Sequence, residues 1–389
     1  MKHLFNLQKQ AILCLILSCS LFLPSSLSAA IIYVNPAAGG ANNGSSWADA
    51  YLDLQSALAV AVAGDEIWVA QGLYLPSVEV DVDASGGSDE REKTFQIPNG
   101  VALYGGFLGG EMNLEDRDWI NNLSILSGDL DMNDLDLDGN QISENTSDLQ
   151  GNNAYHVIFT QNVNAFTRLD GFVVTAGSAG NLVPPSGFSP NRDGAGWLDL
   201  DGVAPNSSSP QIYNCRFEGN FAEDQGGAIK IGSFQVGTFQ PNIQHCTFSG
   251  NEALRSGGAI YLLGDEATID SSLFSNNSTT NISGTDTGPA SGGAVFMIGS
   301  NASFSACVFR NNSATGNPTG AFEGGGGGAV YVVQSSSPTN TLGPSVVNFL
   351  NCGFYNNAIG GNGGGWGGAA THLSDGGNLT IQYTGCVFS

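Results

Sequence analysis

Basic side chains are what this chain has least of. Its 389 residues carry 11 Lys and Arg against 35 Asp and Glu, a formal net charge of −24. Two of those cations, Lys2 and Lys9, fall within the first ten residues. So acidic a surface repels nucleic acid, anionic lipid and polyuronate chains unless a metal ion intervenes, so no nucleic-acid partner is expected. Long apolar runs are also missing. Ala11–Leu23 is short for a membrane span, and no later stretch approaches the ~20 apolar residues a transmembrane helix needs. Methionine (4 residues) and charged helix formers (charged residues 12%) are scarce, whereas Gly reaches 55, which favours turns and small side chains over helices. The seven cysteines show no Cys-x-x-Cys pair and no Cys/His ligand spacing, which removes the usual zinc and redox motifs.

The amino terminus reads as a secretory leader over residues 1–30. Lys2 and Lys9 precede the apolar run, and Pro24, Ser28 and Ala30 follow it, with cleavage expected near Ala30. A lipid-modified alternative at Cys19 would strand the apolar Leu21–Leu23 beyond the cut. Five cysteines remain after residue 30: Cys215, Cys246, Cys307, Cys352 and Cys386.

Those cysteines mark a repeat. Cys215-Arg-Phe217-Glu-Gly-Asn220 returns as Cys246-Thr-Phe248-Ser-Gly-Asn251, Ser272-Leu-Phe274-Ser-Asn-Asn277, Cys307-Val-Phe309-Arg-Asn-Asn312 and Cys352-Gly-Phe354-Tyr-Asn-Asn357, and begins again at Cys386-Val-Phe388-Ser389. Between copies stand Gly226-Gly227-Ala228, Gly257-Gly258-Ala259, Gly292-Gly293-Ala294, Gly327-Gly328-Ala329 and Gly367-Gly368-Ala369. The Cys-row positions 215, 246, 272, 307, 352 and 386 are unevenly spaced, so a constant unit carries inserts of different length, as in a solenoid. Short β-type runs such as Ala259–Leu262 and Ala329–Val333, with no helical apolar period between them, make it a β-solenoid. In parallel coils, equal positions stack at ~4.8 Å. Cys and Phe are then expected inward as two columns, the thiols reduced, Asn at a turn with its amide bonded from coil to coil, and Gly-Gly at the following bend.

Before the repeats, Ile31–Val34 and Ile67–Ala70 read as strands, and Tyr51–Ala63 as a helix with one apolar face that could cap the open end. Val101–Phe107, Ser124–Gly128, Tyr155–Phe159 and Leu169–Val174 read as further strands. One domain over residues 31–389 is expected: 31–165 as cap and first coils, and 166–389 as repeat coils that break off within a unit. That last edge would fray or self-associate, and further coils and an anchoring segment would follow in the natural protein.

The stretches "LDGFVVTAG", "NCRFEGN", "GGAIY" and "CVFRNN" resemble the GGA[ILV] and FxxN repeats of the chlamydial polymorphic outer membrane protein family. The leading "IIYVNPAAGGANNGSSWADAYLDLQSAL" and "VALYGGFLGGE" resemble secreted bacterial proteins with the pectin-lyase-like fold. The resemblance implies an all-β, single-stranded right-handed parallel β-helix, exported to the medium, outer membrane or cell surface.

Chemistry is harder to find. The densest signal is Asp129–Asp148, where Asp134, Asp136 and Asp138 precede Gly139 and look like the start of a Ca²⁺ loop, although no Glu stands at position 12. A solvated acidic insert is the plain alternative. Arg216, Arg255 and Arg310 fit turns, Lys230 fits the outward side of its strand, and His156, His245 and His372 share no motif and fit surface or turn positions. Trp197, Tyr213, Tyr261, Phe296 and Tyr331 could form a sugar platform or simply stack on one another. No catalytic set emerges, so the first reading is a non-catalytic, adhesin-like surface protein whose partner is a host or cell-surface protein or a polysaccharide. The second is a carbohydrate-active enzyme with its site in the inserts Thr279–Ser291 or Ser313–Gly325.

Overall fold

From Arg168 onward each complete turn of the chain is built from four short strands separated by residues at positive φ. The computed structural model describes residues 29–180, 189–200, 208–232, 240–263, 266–280, 290–299, 301–316, 326–334, 345–360, 370–374 and 379–389. One coil shows the plan. Gln211–Tyr213 lies in a first wall, Asn214 turns the corner at φ +53°, and Arg216–Glu218 lies in a second. Gly219 turns again at φ +62°, Phe221–Ala222 forms a third wall, and beyond Gly226 at φ +66° Ile229–Ile231 forms a fourth. The next coil pairs with it in parallel: Ile212 with Ile243, Phe217 with Phe248, Ala222 with Ala253 and Ile229 with Ile260. Among the described residues the four walls hold ten, nine, six and eight strands. The protein is an all-β, right-handed parallel β-helix, the hand that parallel crossover connections adopt.

The inward rows are the expected columns. Phe217, Phe248, Phe274, Phe309, Phe354 and Phe388 stack with ring centroids 5.2, 4.9, 4.7, 4.9 and 5.0 Å apart and nearly parallel planes. Beside them, Cys215, Cys246, Cys307 and Cys352 are buried and free, and Cys386 is half-buried and free. Each thiol donates to a carbonyl of the preceding coil, as Cys307 Sγ does to Ile269 O at 3.4 Å. Burial pushes the Cys215 thiol well above its ordinary range, so it stays protonated and unreactive.

The Asn row is bonded more completely than stacking alone requires. Asn220 Nδ2 donates to Asn251 Oδ1 at 3.0 Å, Asn251 to Asn277 at 3.0 Å, Asn277 to Asn312 at 3.0 Å and Asn312 to Asn357 at 2.9 Å. The same Nδ2 atoms reach main-chain carbonyls such as Phe248 O from Asn277 at 2.9 Å, and each Oδ1 also accepts the backbone N–H of the Asn before it, as from Asn251 N at 3.2 Å. The residue preceding each ladder Asn has a separate task. Gly219, Gly250, Asn276, Asn311 and Asn356 all sit at φ +53° to +64°, which explains why only Gly and Asn appear there. The Gly-Gly pair likewise divides its work: Gly257 supplies φ +66°, while a Cβ on Gly258 would lie 2.3 Å from Gly293 O.

Three expectations change. The helix is Leu54–Leu58 rather than 51–63, because Val62 N turns back to Asp65 Oδ2 at 3.0 Å and Gly64 takes φ +100°. It buries Leu54, Ala57 and Leu58 against the first strands of the first and fourth walls. Leu169–Val174 is not one strand: Gly171 at φ +83° splits it into Arg168–Asp170 and Phe172–Thr175, in different walls. Tyr155–Phe159 becomes Ile158–Gln161, with Tyr155 N bonded to Arg91 O instead of to a neighbouring strand. Two inserts leave the coils and are closed at their bases by isolated antiparallel bridges, Glu79 with Lys93 and Asp129 with Asn153.

Candidate binding face

Alternation along the first wall sends one side chain in two to the outside. The outward positions form two rows in register: Arg168, Gln211, Asn242, Thr268, Ser303 and Asn348, and beside them Asp170, Tyr213, Gln244, Asp270, Ser305 and Leu350. A shallow groove of about 710 Å³ runs along the first row, lined among others by Gln211, Asn242, Thr268, Ser303, Asn348 and Glu266. Its groups are already cross-bonded. Asn242 Nδ2 donates to Gln211 Oε1 at 3.1 Å and to the Tyr213 hydroxyl at 2.7 Å, Tyr213 donates to Gln211 Oε1 at 2.8 Å, and Gln244 Nε2 to Asn242 Oδ1 at 3.0 Å. Glu266 is held by Gln240 Nε2 at 2.8 Å, and Asp270 accepts from Ser305 Oγ.

At its amino-terminal end the face becomes cationic and aromatic. Arg168 lies over the rings of Tyr213 and Tyr104, at 4.5 and 5.9 Å, and 3.9 Å from Asp170. Asp170 is itself bound by Arg117 at 2.7 Å, and Arg117 covers Tyr104 and Trp119. A second hollow of about 510 Å³, lined by Glu66, Tyr104, Phe166 and Arg168 among others, opens here. Burial raises the Tyr104 phenol above its ordinary value, against the pull of Arg168. Arg168 thus lies as a planar guanidinium across two phenols and faces a carboxylate, a geometry that favours stacking. Arg117 and Arg168 carry no local motif and come together only when three coils stack.

The side chains singled out from sequence disperse. Tyr261, Phe296 and Tyr331 stack at 5.2 and 5.4 Å but are buried, and Trp197 points into the core with Nε1 on Thr160 Oγ1 at 2.8 Å, so they form no exposed platform. Tyr213 alone of the five belongs to the outward rows. Lys230 does face outward from its strand yet is buried, 2.5 Å from Asp193, whose carboxyl burial pushes up to about 6 against the attraction of that ammonium. His156 is no surface residue: it is 1% exposed, Nδ1 lies 3.1 Å from Gly194 O, and burial lowers its imidazole to about 4. His245 occupies a turn at φ +54°, and His372 pairs with Val332 in the fourth wall. Arg216 pairs with Glu218, Arg255 with Asp224, and Arg310 is exposed. Of the two inserts, residues 281–289 and 317–325 lie outside the described residues.

Asp134, Asp136 and Asp138 do not converge on one point. Asp134 turns inward to Gln150 N, Asn153 Nδ2 and Ser143 Oγ, at 2.6, 2.9 and 3.0 Å. Asp136 accepts from the backbone of Gly139, Asn140 and Gln141, and Asp138 from Asn140. Among the described residues, the acidic groups whose oxygens do approach one another, within 4.8 Å, are Asp81, Asp83 and Glu92 in the first insert.

Residues 245–262 match the family model described as Chlamydia polymorphic membrane protein repeat. Two solved structures are similar. One is pectate lyase Pel9A, at 12% identity over 91% of this chain and 80% of that one, TM-score 0.38. The other is a rhamnogalacturonan lyase, at 13% identity over 90% and 86%, TM-score 0.30. No curated protein matches the chain.

Proposed function

We propose that this chain is an exported, non-catalytic surface protein whose first wall binds an extended, uncharged, hydroxyl-rich partner, namely a cell-surface polysaccharide of neutral sugars. The observation that carries the reading is the groove, where successive coils present Gln211, Asn242, Thr268, Ser303 and Asn348 in register. Amides and hydroxyls both donate and accept hydrogen bonds, as sugar hydroxyls do, and they impose no charge on the partner. A net charge of −24 disfavours polyanionic chains at the same face. Arg168 and the neighbouring phenols would then hold one end of the ligand by stacking. The leader pattern of residues 1–30 and the surface-protein repeat at 245–262 support export.

Calorimetry against neutral glycans and polygalacturonate, with parallel assays for new reducing ends and unsaturated uronates, tests this. Saturable binding of a neutral glycan is expected, weakened about thirtyfold by Asn242→Ala combined with Asn348→Ala, since two lost hydrogen bonds at about 1 kcal/mol each remove about 2 kcal/mol. Turnover abolished by Arg168→Ala, or by a change within 281–289 or 317–325, would replace this reading with a carbohydrate-active enzyme. Binding to a cell-surface protein with no glycan affinity would overturn the choice of partner.

A further inference from the structure

The first insert carries chemistry that neither the repeat nor the groove uses. It runs Asp81-Val82-Asp83-Ala84-Ser85-Gly86-Gly87-Ser88-Asp89-Glu90-Arg91-Glu92, with oxygen-bearing side chains at positions 1, 3 and 5, Gly at 6 and Glu at 12. That is the spacing of a 12-residue Ca²⁺ loop, in which positions 1, 3, 5, 7 and 12 supply the oxygens and Gly at 6 permits the sharp turn. The fold closes the loop. Val80 N bonds Glu92 O at 3.0 Å and Thr94 N bonds Val78 O at 3.1 Å, so an antiparallel bridge stands where paired helices usually flank such a loop. Position 12 is thereby brought against position 1, Gly86 takes φ +73°, and the carboxylate oxygens of Asp81, Asp83 and Glu92 come within 4.8 Å of one another.

A residue from another coil points to a positive charge at the same place. Asn191 is 4% exposed and sets its amide against Glu92, with Nδ2 3.3 Å from Oε1. As placed, Oδ1 lies beside Nε2 of His156 and not beside the carboxylates, and neither atom makes a hydrogen bond of good geometry. His156 Nδ1 must carry the ring proton, because its neighbour Gly194 O can only accept. Nε2 is then a bare acceptor facing Oδ1, a second acceptor. Turning the Asn191 amide over repairs this, since the O and N of an amide are interchangeable in shape. Nδ2 then donates to Nε2, and Oδ1 faces Glu92 across the contact. Two oxygens so placed are held together either by a proton on Glu92 or by a cation, and the two further carboxylates at hand favour the cation.

We propose that Asp81, Asp83, Glu92 and the turned Asn191 Oδ1 bind one Ca²⁺, with Ser85 Oγ and the Gly87 carbonyl completing the loop's oxygen set. All-oxygen donors select a hard cation, and a flexible set of six or more suits Ca²⁺ better than Mg²⁺. The ion acts as a clasp. It ties the insert to Asn191, while Arg91 already ties it to Asn153 O, Ser178 O and Gly180 O at 2.8, 2.5 and 2.9 Å. Asp89 adds a bond from the Tyr155 hydroxyl at 2.9 Å.

Calorimetry of the EDTA-treated full chain with CaCl₂, with melting temperature measured in parallel, tests the site. One Ca²⁺ per chain is expected, with Kd between about 1 µM and 1 mM, and a melting temperature that rises with Ca²⁺. Glu92→Gln, and separately Asp83→Asn at a more exposed position where folding is not at stake, should each weaken binding at least about tenfold. Asp134→Asn combined with Asp136→Asn and Asp138→Asn should leave it unchanged. No saturable heat up to about 10 mM Ca²⁺, unchanged heat in Asp83→Asn and Glu92→Gln, or loss of heat in the triple variant would each overturn the proposal.

Discussion

The coils before about residue 165 and those after it continue the same first, second and fourth walls by different means, and the third wall begins only at Ser178–Ala179. In the later coils each inward position repeats its neighbour: Phe stacks on Phe, Asn bonds Asn, and a thiol donates to the carbonyl of the coil before it. The earlier coils hold together by contacts used once. Trp68 stacks on Phe107 at 4.8 Å, Trp47 Nε1 donates to Glu111 O at 2.9 Å, Ser124 Oγ reaches Val69 O and Ala70 O, and Arg91 and Arg117 pin neighbouring coils through main-chain carbonyls. A translating row rewards identity, because each residue meets its own kind at the coil spacing and one solution serves every coil. An end region lacks that symmetry and must be solved contact by contact, which is where inserts and special sites can be added without breaking a row.

Cutting one row tests the comparison most severely. Asn277→Ala should cost about 3–5 kcal/mol in denaturant unfolding, because it strands the Phe248 carbonyl and the donors of Asn251 as well as opening a gap. A loss under about 1 kcal/mol would mean that the ladder contributes little beyond shape.

The single-use polar chemistry of the earlier region should appear as pH dependence. His156 is neutral when folded, lowered from 6.5 to about 4 by burial, whereas the unfolded chain takes up the proton below about 6.5. Its contribution is therefore complete above pH 6.5 and lost as pH falls toward 4, on the order of 3 kcal/mol. In the later coils Asp193 works in the opposite sense: raised from 3.8 to about 6, its contribution is complete below pH 3.8 and lost as pH rises through 6. His156→Gln should keep the second trend and lose the first. A variant whose pH profile matches that of the parent chain would remove His156 from the account.

The smallest effect is expected where a row is already interrupted. Ser272 occupies the cysteine column, accepting from Cys246 N at 3.1 Å and donating to Asp270 O at 2.8 Å. Ser272→Cys restores the repeat with nearly the same shape and should change stability by less than about 1.5 kcal/mol. A larger loss would show that the hydroxyl at that position is required and that the column is not interchangeable.

The parallel β-helix, its inward columns and the bends at Gly-Gly were legible because a solenoid writes one coil many times, and repetition converts weak local preferences into a pattern. The position before each ladder Asn holds only Gly or Asn, a sign of positive φ that the structure brought out. The split of Leu169–Val174 at Gly171 was less legible, because an apolar run looks the same whether it stays in one wall or turns a corner. The loop spacing at Asp81–Glu92 also stands in the chain, but the acidic stretch around Asp134 is denser, and density is not geometry. Tertiary structure alone decided which acidic groups converge, that Lys230 and His156 are buried, and that Tyr261, Phe296 and Tyr331 are covered. It also decided that Arg168, Tyr213, Asn242 and Asn348 share one face. Those facts depend on which coil lies over which, and a residue's neighbours in a stack are dozens of positions away in the chain. Local sequence sets the strand, the turn and the side chain's direction; only the stacking brings distant side chains together.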